Sequence, residues 1–370
     1  MTGLAVTGCG VLCAAGRGLT AVAEALRAGT ENVALQAGRL YEVKLPANPV
    51  RALIDFDVRK ELGRKGTSSL DRRSALTMAA ARLAIEDSGL AINEATAQRI
   101  GMGIGTGCGS LKSMSDYTMQ SLTASRPYFV DPSLFPNTVL NCATGVAAIR
   151  YGLRGVNVTI ATGQLAFIGT LSYASNVMRR GYVDAMLIGA TEECTPHTAW
   201  ALRATRGEAV FVGEGAGVFA LEQAEAARAA GRHIDAEVLA VVTAFAPLRS
   251  GKRSIAGALA GCIGRALAAA HVEPGEVSLA LTSEPADIIG GEASAIRSAL
   301  GEGCEQLEVK RALGECGPAT GALQLAALLA LHRSDPSRDE RVSLLTAITR
   351  DGGVGAALFR GRSRGGARCS

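Results

Sequence analysis

The sequence is poor in the groups that recognise nucleic acids and in the patterns that hold metals. Aromatic residues make up 4% of its 370 residues, with one Trp, too few faces for a base-stacking surface. Its four histidines, His197, His233, His271 and His332, show no metal-ligand spacing. Nine cysteines include no C-x-x-C pair; that pattern fits reduced thiols in the cytoplasm better than a disulfide framework or a zinc site. No apolar run reaches the roughly 18 residues that a membrane span requires. The opening "MTGLAVTGCGVLCAAG" has no basic n-region and reads as a first strand and loop, not a signal peptide. The expectation is therefore a cytoplasmic chain with no metal, no cofactor, no nucleic-acid partner and no membrane partner.

Charge is also scarce: 19% of residues are charged against 48% hydrophobic, a globular balance. The net charge of +4 matches the four arginines of "RGRSRGGARCS", namely Arg360, Arg362, Arg364 and Arg368. Without them 34 basic residues meet 34 acidic ones, so the body is neutral and the tail reads as a solvated terminus.

Present throughout is an alternation of strands and helices. "LAVTGCGV" reads as a strand, "SLDRRSALTMAAARLAIEDSGL" as a helix that ends before Gly89, and "RIGMGIGTGCG", "VDAMLIGATEE" and "GAGVFALE" as strands. From "DAEVLAVVTAF" onward the order recurs, with helices "AGALAGCIGRALAAAH", "GGEASAIRSALG" and "GPATGALQLAALLALHR" among strands "VSLALT", "CEQLEV", "RVSLLTAI" and "GVGAALFR". The pattern predicts an α/β fold of two similar halves, 1–229 and 230–370. Apolar strands flanked by helices predict parallel sheets covered on both faces. The glycines of "GMGIGTGCG" lack G-x-G-x-x-G spacing, so they read as close backbone packing and not as a dinucleotide site.

"VTIATGQLAFIGTLSYA", residues 158–174, reads as a buried strand running through a Thr-Gly turn into an apolar helix. Such an elbow favours a nucleophile, because the first free amides of the helix point at it. Gln164 occupies it, and a neutral amide cannot attack a carbonyl at a useful rate.

Four ordered stretches resemble the β-ketoacyl synthases of the thiolase fold: "LFPNTVLNCATGVAAIRYGLRGVNVTIATG", "RRGYVDAMLIGATEE", "FVGEGAGVFALE" and "VKRALGECGPATGALQLAALLAL". The resemblance implies a layered α-β-α-β-α sandwich. It also implies that the catalytic positions are degenerate. Gln164 stands where an active synthase has Cys, and Leu281 or Thr282 where the first His follows its strand. Glu315 stands where the second His follows a Lys-x-x-x-Gly pattern whose Lys310 is retained. Arg350, in "TRDGGVG", replaces the Phe of a pocket-gating loop, and loops after "TPHTAWALRATRG" and around "TAFAPLRSGK" look shortened. Condensation needs a thiolate and two imidazoles to support decarboxylation and the enolate, so the resemblance implies no activity from this chain alone.

Chain-length factors of type II polyketide synthases combine this fold with Gln at the elbow. Likeness to them implies a heterodimer with an active ketosynthase across the strand Thr159, Ile160 and Ala161, with an acyl carrier protein engaged through the complex. Tunnel-lining candidates are Cys108, Ser110, Met114, Tyr117, Leu134 and Phe167; ordinary core packing is the other reading for each. A Gln-type decarboxylase that makes acetyl starters from malonyl-carrier protein is the alternative, set back by the missing histidines. A thiolase-like binder of some unrelated ligand is a third reading.

Overall fold

The computed structural model describes residues 3–246, 252–284, 291–333 and 335–364. Ten strands of four or more residues form one continuous sheet with two leaves. The first leaf contains β1 (Leu4–Cys13), β2 (Ile100–Thr106), β3 (Asn157–Ala161), β4 (Ala185–Glu192) and β5 (Gly215–Gln223). The second contains β6 (Ala236–Phe245), β7 (Val277–Thr282), β8 (Glu305–Glu308), β9 (Val342–Ile348) and β10 (Gly353–Gly361).

Their spatial orders are β3-β2-β4-β5-β1 and β8-β7-β9-β10-β6, the same winding twice. The senses repeat as well. β2 lies parallel to β3 and β4 while β5 is antiparallel to β4 and β1; β7 lies parallel to β8 and β9 while β10 is antiparallel to β9 and β6. The leaves meet where Leu4–Val6 pairs with Ala236–Val238. The expected parallel sheets are thus mixed. In the second leaf the cause is local: β9 turns straight back into β10 through Thr349–Gly352, and such a return can only be antiparallel.

Helices fill three layers. The longer ones are α1 (Gly18–Ala28), α2 (Arg72–Ser88), α3 (Leu111–Thr123), α4 (Cys142–Tyr151), α5 (Ala166–Arg179), α6 (Pro196–Arg206), α7 (Lys252–Ala270), α8 (Glu292–Leu300) and α9 (Thr320–Arg333). α2 and α4 cover the outer face of the first leaf, and α7 and α8 that of the second. α5 and α9 lie between the leaves, in the central core with Phe167, Leu171, Leu323 and Leu328. Strand alternation feeds both sides of a leaf: Leu281 faces this centre while Ala280 faces the outer layer. α9 is apolar almost all round because it is buried almost all round. α2 begins where Asp71 accepts a hydrogen bond from the Ser74 amide at 2.7 Å and ends at left-handed Gly89. The result is an α/β sandwich of five layers.

The alternating glycines serve close approach. A Cβ on Gly105 would fall 2.8 Å from the Ala166 backbone, so only glycine lets α5 lie this near β2. Two readings from sequence are corrected here. β3 is not buried: among the described residues it pairs only with β2, at the sheet edge, and Asn157 and Ala161 are exposed. The terminal arginines are not merely solvated either. Arg364 donates to Asp87 and Asp235, beside Arg333, and Arg362 donates to Glu237. Apolar composition does not separate an edge strand from a central one, and the acidic partners of the tail lie far off in sequence. Residues 365–370, and the part of "TAFAPLRSGK" at 247–251, lie outside the described residues. Among the described residues no helix is long and apolar enough to cross a membrane.

Candidate functional site

The elbow after β3 turns at Gly163, whose φ of +57° is left-handed, and passes through a 3-10 turn, Gly163–Leu165, into α5. Gln164 is 8% exposed, and its Oε1 has no hydrogen-bond partner among the described residues. The equivalent turn of the second half, Gly317–Ala319, precedes α9 and packs against the first. Gly107 closes one side: a Cβ there would lie 3.1 Å from Pro318 and 3.5 Å from Glu192 Oε2. Leu165 closes another, against Gly353 and Gly355 of the "TRDGGVG" stretch.

Around Glu315 gather charged groups from both halves of the chain. The short helix Val309–Leu313 carries Lys310, whose Nζ donates to Glu315 Oε2 at 2.7 Å and to Glu284 Oε1 at 2.9 Å. Arg206, at the end of α6, donates to Glu284 at 3.2 and 3.3 Å and lies 3.9 Å from Glu315. Two cations and two carboxylates thus form a neutral, buried cluster. Burial pushes the Glu284 carboxyl up, but Lys310 and Arg206 outweigh it and hold the group below the usual carboxylate range. Glu315 Oε1 also accepts from the Gly317 amide at 2.8 Å, so the first orphan amide of that turn is occupied. Arg350 donates to the Thr205 carbonyl at 2.7 Å and ties its loop to α6.

Sequence reading found Lys310 and Glu315 but not Arg206 or Glu284. Leu281 is fully buried in the central core, and the Thr282 hydroxyl donates to the Leu307 carbonyl at 3.4 Å. The side chain that reaches Lys310 from beyond this strand is Glu284. Buried Glu292 sets the approach: it accepts from the Ser283 and Glu284 amides, the Ser283 hydroxyl and the Thr346 hydroxyl. The signal the sequence offered was an acidic residue two positions past the apolar strand Val277–Thr282.

Two thiols flank this region, and neither is poised as a thiolate. Burial raises Cys316 well above the ordinary thiol range, and burial with Glu192 raises Cys108. Glu192 and Glu193 are buried acids at the end of β4. Burial, reinforced by Glu193, pushes Glu192 up to about 8; burial, reinforced by Asp71, pushes Glu193 up to about 7. Among the described residues no three acidic, His or Cys side chains are grouped to hold a metal.

The tunnel candidates fall in two places. Phe167 is fully buried between the leaves, its ring 5.7 Å from that of Phe219 and close against Gly321. Cys108, Met114, Tyr117 and Leu134 lie outside, around α3 and the 3-10 turn Pro132–Thr138, where Tyr117 meets Phe135 at 5.9 Å. Ser110 caps α3 and is buried. This outer side also exposes Met114, Phe135, Val139, Leu140 and Ile149, and α4 joins it to β3 through the 2.6 Å contact of Thr144 with Thr159.

Known proteins share this architecture. The chain is 28% identical over 300 residues to a 3-oxoacyl-[acyl-carrier-protein] synthase 2 of Staphylococcus aureus, covering 73% of this chain and 72% of that one. Its fold matches the ishigamide ketosynthase/chain length factor at a TM-score of 0.84 with 31% identity, over 97% of this chain and 99% of the other. It also matches, at 0.79 and 19% identity, a chain from a type II polyketide synthase acyl carrier protein in complex with its ketosynthase bound to the hexaketide, with 97% and 99% covered. The family model for the N-terminal domain of β-ketoacyl synthases spans residues 1–227, and with it the thiolase-like layers and paired elbows identify this chain as a member of the β-ketoacyl synthase family.

Proposed function

We propose that this chain is a chain length factor: a non-catalytic subunit that pairs with an active β-ketoacyl-acyl-carrier-protein synthase and shapes the end of its acyl tunnel in type II polyketide biosynthesis. One observation carries the reading. Where condensation needs a thiolate and two imidazoles, this chain has the Gln164 amide and a neutral cluster of Arg206, Glu284, Lys310 and Glu315. Those cations are paired with the two carboxylates, so neither offers an uncompensated charge to a developing enolate.

The unpaired edge of β3 and the apolar surface beside it support pairing with another sheet of the same architecture. Thr159, Ile160 and Ala161 are the interface strand in this reading, and Cys108, Ser110, Met114, Tyr117 and Leu134 belong to the wall it brings to the tunnel. Exposed Arg59, Lys60, Arg64 and Lys65 form no ion pair among the described residues, and Arg150 joins them by donating to the Leu62 and Lys65 carbonyls. That basic patch fits an acidic acyl carrier protein approaching the complex. The two halves, 1–229 and 230–370, are taken as products of duplication, supported by the repeated winding. A reducing cytoplasm fits the eight described cysteines, all of which are free.

Co-expression with the cognate synthase tests the reading. A 1:1 complex by size exclusion and mass is expected, with condensation by the complex and none by this chain alone. Condensation by the purified chain, or release of CO2 from malonyl-carrier protein by it, overturns the proposal; the second result points to the decarboxylase instead.

A further inference from the structure

The wall assigned to the partner is held from behind by charged groups more than by apolar packing. α3 buries only Ser113 among its thirteen residues, and Val139 and Leu140 are 38% and 42% exposed. Behind them stands Arg73 of α2, which is 1% exposed. Its guanidinium donates to the Leu140 carbonyl at 3.1 Å, the Thr106 hydroxyl at 3.4 Å and the Val139 carbonyl at 3.5 Å. Its Nε has no partner among the described residues. The backbone amide of Arg73 donates to Glu193 Oε2 at 3.1 Å, and Glu193 Oε1 accepts from the Ser110 hydroxyl at 2.7 Å. Ser110 in turn accepts from the Ser113 amide at 3.2 Å and starts α3.

Two lightly packed segments, the start of α3 and Val139–Leu140, are therefore hung from one buried acid and one buried base of the core. A guanidinium is costly to bury, and its planar fork can bind two carbonyls at once in a fixed direction. Apolar contacts would leave the same segments free to slide, because they carry no direction.

We propose that Arg73 and Glu193 are positioning residues: they fix the start of α3 against Val139–Leu140 and so set the contour of the tunnel wall given to the partner synthase. The inference rests on the subunit reading above. It requires no contact between either residue and the growing chain.

Hydrogen–deuterium exchange and product analysis test it together. In the purified chain, Arg73→Met is expected to speed amide exchange at least tenfold in residues 138–142, with β1 and β5 unchanged. Ser110→Ala, which removes a single hydroxyl and preserves the core, is expected to affect residues 110–113 alone. In the co-purified complex, Arg73→Met should broaden or shift the product-length distribution, and Arg73→Lys, which keeps the charge but loses the fork, should fall between it and the unaltered chain. Unchanged exchange in both segments overturns the inference, and so does faster exchange with an unaltered product distribution in an intact complex. Failure of the subunit reading shows instead with the unaltered chain, as absence of any complex, and the exchange data still decide the strut.

Discussion

Replacing Lys310 by Met removes one cation from a cluster of two cations and two carboxylates. Glu284 keeps Arg206 at 3.2 Å, while Glu315 is left with Arg206 only at 3.9 Å and the Gly317 amide. Lys310 and Glu315 are 7% and 6% exposed, so water does little to compensate the acid. Breaking a buried pair from one side costs about 3–5 kcal/mol, because an uncompensated charge stays behind. For a chain of 370 residues, an unfolding entropy of about 2.1 cal/mol/K per residue converts that to a fall of roughly 4–6 °C in Tm. The double variant Lys310→Met/Glu315→Gln leaves Arg206 and Glu284 as a neutral pair, and the Gln carbonyl can still accept from Gly317. It should recover more than half of the loss. Thermal and chemical denaturation of the two single variants and the double one form a double-mutant cycle. A single-variant cost below about 1 kcal/mol, the level of a surface pair, refutes the buried-cluster argument, as does a double variant no more stable than Lys310→Met.

Two further outcomes follow from the geometry. Glu192 and Glu193 are pushed by burial to about 8 and about 7, above the range they have when unfolded, so the native chain holds extra protons and loses stability as pH rises from about 4.5 to 8. Glu192→Gln should flatten this decline and be more stable than the unaltered chain at pH 8; an equal or steeper decline by denaturant titration at pH 5.5 and 8 contradicts it. Ile149→Asp, at a site 84% exposed on α4, should shift the stability of the isolated chain by no more than about 0.5 kcal/mol. It should weaken the complex with the synthase at least tenfold by titration calorimetry, and unchanged affinity removes this face from the interface.

Local signals made much of the fold legible. Gly89 marks the end of α2, and Gly103 and Gly105 of β2 mark where α5 comes close. The site was legible only where its residues lie close in sequence, as Lys310 and Glu315 do. Arg206 and Glu284 join them through tertiary folding, across 78 and 26 residues, and no periodicity connects such positions. The edge position of β3 was hidden for a related reason: Val158–Ala161 has strand composition, and only the sheet order shows that one side is open. The tail arginines looked solvated because their partners, Asp87 and Asp235, sit on α2 and just before β6.

The open side of β3 has a consequence for how cells must make this protein. A strand with a free ladder accepts any extended chain of suitable register, including another copy of itself. If this chain pairs with a synthase as proposed, copies synthesised in excess of that partner would carry the adhesive margin into a crowded medium, and matched production of the two would protect solubility as well as output.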